Sequence, residues 1–136
     1  SPTRTYAPVV MKIMKRHPGL IRGLVHCSGG GQTKCVRFGK GVHFVKDALM
    51  EIPPVFRAIQ KASGTSDREM FEVYNMGHRM EVYCVKSDAA KVVEIAESFG
   101  IAAQVVGRTE KSARADRKNH VTIRHAGKTL EYGPRD

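Results

Sequence analysis

Apolar residues fall along the chain in short periodic groups. Tyr6, Val9, Val10, Ile13 and Met14 recur at the spacing of one helical face, with Lys12, Lys15 and Arg16 opposite. Thr5 stands where a cap belongs, and Pro18-Gly19 stops the helix. Residues 21–27 read as a buried strand carried by Ile21, Leu24 and Val25, residues 32–38 as a short helix, and residues 42–45 as a strand with Val42 and Phe44 on one face. Pro53-Pro54 opens a helix whose apolar face is Val55, Phe56 and Ile59. Ser66 and Glu69 have capping-box spacing and start a helix through Met70, Phe71 and Tyr74.

Met80, Val82 and Cys84 alternate with Glu81 and Tyr83, the pattern of a half-buried strand. Ala89, Val92, Val93, Ala96 and Phe99 form the clearest helical stripe, with Ser87 as its cap and Gly100 as its end. Residues 101–106 read as a strand closed by Gly107, and residues 111–118 as a charged loop. Val121 and Ile123 lead through an Ala126-Gly127 turn into residues 129–132, a terminal hairpin. The methionines read as core filler. Strands and helices alternate without regular strand–helix–strand spacing. The predicted fold class is therefore α+β, a mixed β-sheet covered by helices.

Length and composition narrow this. The 136 residues suit a single domain, 1–136, with residues 1–110 as its core and 111–136 as a charged connector and terminal hairpin. At 41% hydrophobic and 26% charged, the chain supports a packed core. No stretch reaches the ~18 apolar residues of a membrane span. Three cysteines without disulfide-scaffold spacing fit a reducing cytoplasm. A first residue Ser1 rather than Met suggests a part of a longer chain.

The net charge of +10 asks for an anionic partner and is uneven. Residues 1–50 hold nine basic residues against one acidic, and residues 101–136 hold eight against four. A solvated face and a phosphate-facing surface both fit that excess. Aromatic residues make up 7% and do not interleave with the basic run at 108–118, which argues against nucleic acid.

Two constellations carry possible chemistry. In the first, His26-Cys27 runs into Ser28-Gly29-Gly30-Gly31 and then Gln32-Thr33-Lys34. Consecutive glycines let backbone N–H groups approach an oxyanion, Thr33 offers a hydroxyl and Lys34 a point charge. The plain alternative is a flexible turn. The spacing is neither that of a P-loop nor that of a dinucleotide fingerprint. The second is Asn75, Gly77, His78 and Arg79 between a helix and a strand, either a simple turn or polar groups at a strand mouth where ligands bind. No C-x-x-C or H-x-x-x-H spacing suggests a metal site, and no general base is assignable.

Together these segments resemble the C-terminal domain of aminoimidazole ribonucleotide synthetase, also called phosphoribosylformylglycinamidine cyclo-ligase. Ser1-Pro2-Thr3-Arg4-Thr5-Tyr6 is similar to that family's Pro-Thr-Arg-x-Tyr opening. His26-Cys27-Ser28-Gly29-Gly30-Gly31 is similar to its His-Ile-Thr-Gly-Gly-Gly, and Ile52-Pro53-Pro54-Val55-Phe56 to its Pro-x-x-Phe helix entry. Glu69-Met70-Phe71 with Asn75-Met76-Gly77 and Met80 resembles Glu-Met-Tyr…Phe-Asn-x-Gly-x-Gly-Met, and Val105-Val106-Gly107-Arg108 a further strand end. Two departures stand out. Gln32-Thr33-Lys34-Cys35-Val36-Arg37 replaces the usual Glu-Asn-x-Pro-Arg stretch, and Arg79 replaces the second glycine of Gly-x-Gly-Met.

The resemblance implies part of a ligase of purine biosynthesis that closes an imidazole ring at the expense of ATP. It implies that residues 28–34 bind phosphate and that His26, Asn75, Gly77, His78 and Arg79 wall the site. It further implies that ATP and Mg2+ are held mainly by an N-terminal domain, that the substrate is a phosphorylated small molecule, and that the full-length enzyme is a cytoplasmic homodimer. The isolated fragment is then inactive, with no membrane association and no nucleic acid. A related ATP-using synthetase of the same superfamily and a basic RNA-binding module are the alternative expectations.

Overall fold

The computed structural model describes residues 6–27 and 31–133. The chain divides into two compact units, residues 1–24 with 81–105, and residues 25–80 with 106–136. The predicted α+β class holds, with mixed sheets and helices. No helix among the described residues is long and apolar enough to cross a membrane.

The first unit is built on helix α1 (Ala7–Arg16) and helix α4 (Ala89–Ser98). Val9 and Ile13 from α1 meet Ile95 and Ala96 from α4, with Leu20 closing the cluster. Each partner is at most 7% exposed. The stripe on α1 is narrower than its spacing suggested. Met14 is 59% exposed and Met11 68%, so these two methionines are surface residues, not core filler. The cap at Thr5 lies outside the described residues. Tyr6 occupies the N-cap position without a side-chain hydrogen bond.

Helix α4 ends as expected at Gly100, whose φ of +73° suits glycine. Its start differs from the expectation. Ser87 lies inside a 3-10 turn over Lys86–Asp88, so Asp88, not Ser87, precedes the helix. Phe99 is 44% exposed, and Ile95 takes the buried place on the stripe.

The two-stranded sheet pairs β1 (Gly23–His26) with β3 (Met80–Tyr83). The alternation read into β3 is inverted, because Glu81 is the buried residue and Met80 and Val82 are only half-buried. The Tyr83 hydroxyl donates to the Glu81 carboxylate at 2.7 Å, which gives that carboxylate a partner away from water.

The second unit carries a four-stranded sheet in the order β4 (Gly107–Lys111), β2 (Val42–Lys46), β5 (His120–His125), β6 (Lys128–Tyr132). β2 runs parallel to β5 and antiparallel to β4, so the sheet is mixed. The register puts Phe44 beside Val121 and Lys46 beside Ile123 on one face, and His43 beside His120 on the other. Val121 and Ile123 are fully buried, so the terminal segment supplies an interior strand of this sheet. The hairpin turn is as expected: Ala126 and Gly127 both take positive φ, the geometry that matches strand twist in a two-residue loop.

Helix α3 (Asp67–Val73) starts with Ser66 accepting a hydrogen bond from the Glu69 backbone at 3.2 Å, as the capping spacing predicted. Met70 and Phe71 are its buried residues, and the Phe71 ring meets the His125 ring edge-on at 5.6 Å. Tyr132 donates its hydroxyl to the Arg68 carbonyl at 2.7 Å, and burial pushes its pKa up to about 12. Helix α2 (Pro54–Ser63) buries no residue, and Val55, expected on an apolar face, is 58% exposed. Phe56 and Ile59 are half-buried, with the Phe56 ring edge-on to Tyr74 at 6.0 Å, and the Gln60 amide donates to Asp67 at 2.7 Å.

Residues 101–106, read as a strand, form none, and the strand β4 begins at Gly107, the residue expected to end it. The apolar residues there have another destination, since Ile101 and Ala103 pack on the cluster between α1 and α4.

Candidate functional site

The second constellation forms just past the end of α3, where Tyr74 turns to an extended conformation. Asn75 accepts a backbone bond from Gly77 through its side chain at 2.9 Å, an Asx turn. Met76 sits at φ 55°, uncommon for a non-glycine residue, and is 4% exposed. Gly77 follows at φ 109°, where a Cβ would lie 2.5 Å from the Pro53 ring. His78 is buried and Arg79 half-buried.

The first constellation is met beside it. Ser28, Gly29 and Gly30 lie outside the described residues. Gly31 opens a 3-10 helix over Gly31–Arg37 where a short helix was expected. Its φ is +53°, and a Cβ there would stand 2.7 Å from the Tyr74 nitrogen and 2.8 Å from the Phe71 carbonyl. Glycine is thus required twice over, by conformation and by the close approach of the α3 end. The Gln32 side-chain amide donates to the Asn75 carbonyl, and the Cys27 N–H donates to the Arg79 carbonyl at 2.7 Å. The two segments singled out in the sequence are therefore one structural feature.

Within it the residues divide. Gln32 and Thr33 are each 1% exposed. His26 at the end of β1 is exposed, while Lys34, Asn75, Gly77 and Arg79 are half-buried. The accessible basic side chains are thus His26, Lys34 and Arg79, and Gln32 has a structural task.

That task involves a residue that composition and motifs did not single out. Lys46 ends β2, is 3% exposed, and donates from Nζ to the Gln32 carbonyl at 2.6 Å and to Gln32 Oε1 at 3.1 Å. The signal was present: Val42, Phe44 and Lys46 alternate on one strand, so an inward Phe44 implies an inward Lys46. An ammonium taken from water is tolerable only where oxygen atoms replace its hydration. Gln32 supplies two such oxygens and spends its own N–H on Asn75, so Lys46, Gln32 and Asn75 form a chain that holds the 3-10 helix against the turn.

The asymmetry of buried polar groups makes this testable. Gln32→Leu keeps the residue-32 carbonyl but takes Oε1 from the Lys46 ammonium and the amide donor from the Asn75 carbonyl, and is expected to cost about 2 kcal/mol. Lys46→Met removes the charge with its desolvation cost and is expected to cost less than about 1.5 kcal/mol. Urea unfolding of the two variants measures both, and equal costs would show that Gln32 does not serve the ammonium.

The accessible basic side chains at this corner are an imidazole, an ammonium and a guanidinium, groups that pair with phosphate oxygens.

Comparison with known proteins identifies the family. The family described as AIR synthase related protein, C-terminal domain, matches residues 2–118. A phosphoribosylformylglycinamidine cyclo-ligase of Methanococcus vannielii is 36% identical over 96% of this chain and 38% of its own length. One from Caldicellulosiruptor saccharolyticus is 37% identical over 81% of this chain and 33% of its own length. One from Bacillus cereus is 31% identical over 82% of this chain and 33% of its own length. The chain thus spans little more than a third of the curated relatives it matches. The resemblance read from the glycine loop and the Asn75 turn is confirmed, and the chain belongs to the AIR synthase related protein, C-terminal domain, family.

Proposed function

We propose that this chain, residues 1–136, is the C-terminal domain of a phosphoribosylformylglycinamidine cyclo-ligase. The reaction converts formylglycinamidine ribonucleotide and ATP to aminoimidazole ribonucleotide, ADP and phosphate in purine biosynthesis. The observation that carries the reading is the seating of Gly31 against the end of α3, which makes one anion-suited corner from two segments matching the family.

ATP supplies the phosphoryl group that turns the formyl oxygen into a leaving group. The N-terminal domain holds ATP and Mg2+. The task of this chain is to bind and orient. Residues 28–34 hold a phosphate of the substrate, with Lys34 as the accessible charge. His26, Asn75, Gly77, His78 and Arg79 form the wall. Lys46 and Gln32 act behind that surface, fixing the 3-10 helix so that no reorganisation is needed when the anion arrives. The enzyme works as a cytoplasmic homodimer.

In the full-length enzyme, Lys34→Ala is expected to raise the KM for the phosphorylated substrate about tenfold and leave kcat nearly unchanged, the mark of a contact made equally in ground and transition states. An unchanged KM removes Lys34 from the site. The chain alone is expected to hydrolyse no ATP, because one wall cannot align two reactants, and turnover by it would overturn the division of labour.

A further inference from the structure

Two basic stretches far apart in the sequence, residues 37–40 and 111–118, meet at the end of the four-stranded sheet where β2 and β5 begin and β4 ends. Asn119 makes the junction. Its Nδ2 donates to the carbonyls of Val36, Phe38 and Gly39, each at 3.0 Å, and its Oδ1 accepts from the Val42 N–H at 2.8 Å. The Ser112 N–H adds a bond to the Gly41 carbonyl at 2.7 Å. Arg37, Lys40, Lys111, Arg117 and Lys118 are all exposed as a result. Among the described residues none of these five enters an ion pair, whereas Arg114 is held by Asp116 at 2.9 Å.

Phe38 lies among these cations and is 44% exposed. The sequence argued against nucleic acid because no aromatic residue interleaves with the basic run. The fold removes that objection, since Asn119 fastens the Phe38 backbone beside Lys118. A protein partner fits such a surface poorly, because the centres of protein interfaces are depleted of lysine and built on several apolar groups. Single-stranded nucleic acid fits it well: cations follow the backbone, and an exposed ring offers a stacking platform that a duplex has no free base to use.

We propose that this surface binds single-stranded nucleic acid, with phosphates on the cations of both stretches and one base stacked on Phe38. The surface is distinct from the Gly31–Asn75 corner and does not depend on the function assigned there.

The test is fluorescence anisotropy of a labelled 12-nucleotide oligouridine titrated with the 136-residue chain between 50 and 200 mM KCl. Five neutralised phosphates predict a slope of log affinity against log salt near −3.5, from about −0.7 per phosphate. Phe38→Ala is expected to weaken binding about tenfold at unchanged slope. The double variant Arg117→Gln, Lys118→Gln is expected to flatten the slope by about 1.4. An unaffected Phe38→Ala overturns the proposal in favour of diffuse charge attraction. Equal affinity for a duplex of the same length overturns it too, as does ready displacement of the oligonucleotide by polyglutamate, which would indicate an acidic protein partner. Thermal melting of each variant followed by circular dichroism separates lost binding from lost fold.

Discussion

Gly107→Ala is expected to destabilise the chain by about 4 kcal/mol, enough to unfold most of a marginally stable unit. Gly107 is the first residue of β4 and pairs with Lys46. A Cβ on Gly107 would penetrate the Val45 carbonyl oxygen and stand 2.8 Å from the Val45 carbonyl carbon and 2.9 Å from the Lys46 Cα. All of these are backbone atoms, and no rotamer change relieves them. β2 cannot retreat, because it is bonded to β5 on its other side. The strain therefore falls on β4, which must leave the sheet and break the register from Gly107 to Lys111. It also falls on the bond from the Ala48 N–H to the Val106 carbonyl at 3.0 Å.

Gly133→Ala is the control, with nothing within 4 Å of its Cβ, and is expected to be neutral. Urea unfolding of both variants reads the difference. A cost below about 1 kcal/mol for Gly107→Ala would mean that β4 does not approach β2 as described.

The same glycine shows where sequence patterns run out. Residues 101–106 form a short, mostly apolar run of strand length, and a glycine after them reads as its end. Periodicity reports which residues seek burial and not what they are buried against. Here the core between α1 and α4 takes Ile101 and Ala103, and backbone pairing starts only where a residue without a side chain can pass Val45. Features governed by a few neighbouring residues were legible: the Ser66 cap, the Ala126-Gly127 turn and the stop at Gly100. Features governed by distant packing were not, among them the inward Glu81, the exposed Met11 and Met14, and the 3-10 turn that displaces Ser87 from its cap.

The candidate site follows the same division. Its two segments were visible separately, as glycines after a strand and an Asn-x-Gly turn after a helix. Their union is a tertiary contact between Gln32 and Asn75, 43 residues apart. Lys46 was hidden for the converse reason. Composition treats a lysine as surface charge, and only the strand alternation turns it inward.

That union sets the second large expectation. Gly31→Ala is expected to cost about 4 kcal/mol and to loosen the end of α3 along with the 3-10 helix. Conformation and crowding both act against a side chain at this position. The φ of +53° places an L-residue in the left-handed region at about 1–2 kcal/mol. Crowding costs more, for the new methyl would meet the Tyr74 carbonyl oxygen, the Tyr74 nitrogen and the Phe71 carbonyl together.

Gly19→Ala separates crowding from conformation. Gly19 has a φ of +79° and nothing within 4 Å of its Cβ, so its substitution carries the conformational cost alone. The excess of Gly31→Ala over Gly19→Ala in urea unfolding then measures the contact between loop and helix end. Hydrogen exchange should locate it, with protection falling at the Tyr74 amide that closes α3 on the Met70 carbonyl. Equal costs for the two variants would dissolve the corner on which the phosphate reading stands, since the 3-10 helix and the Asn75 turn would no longer be one feature.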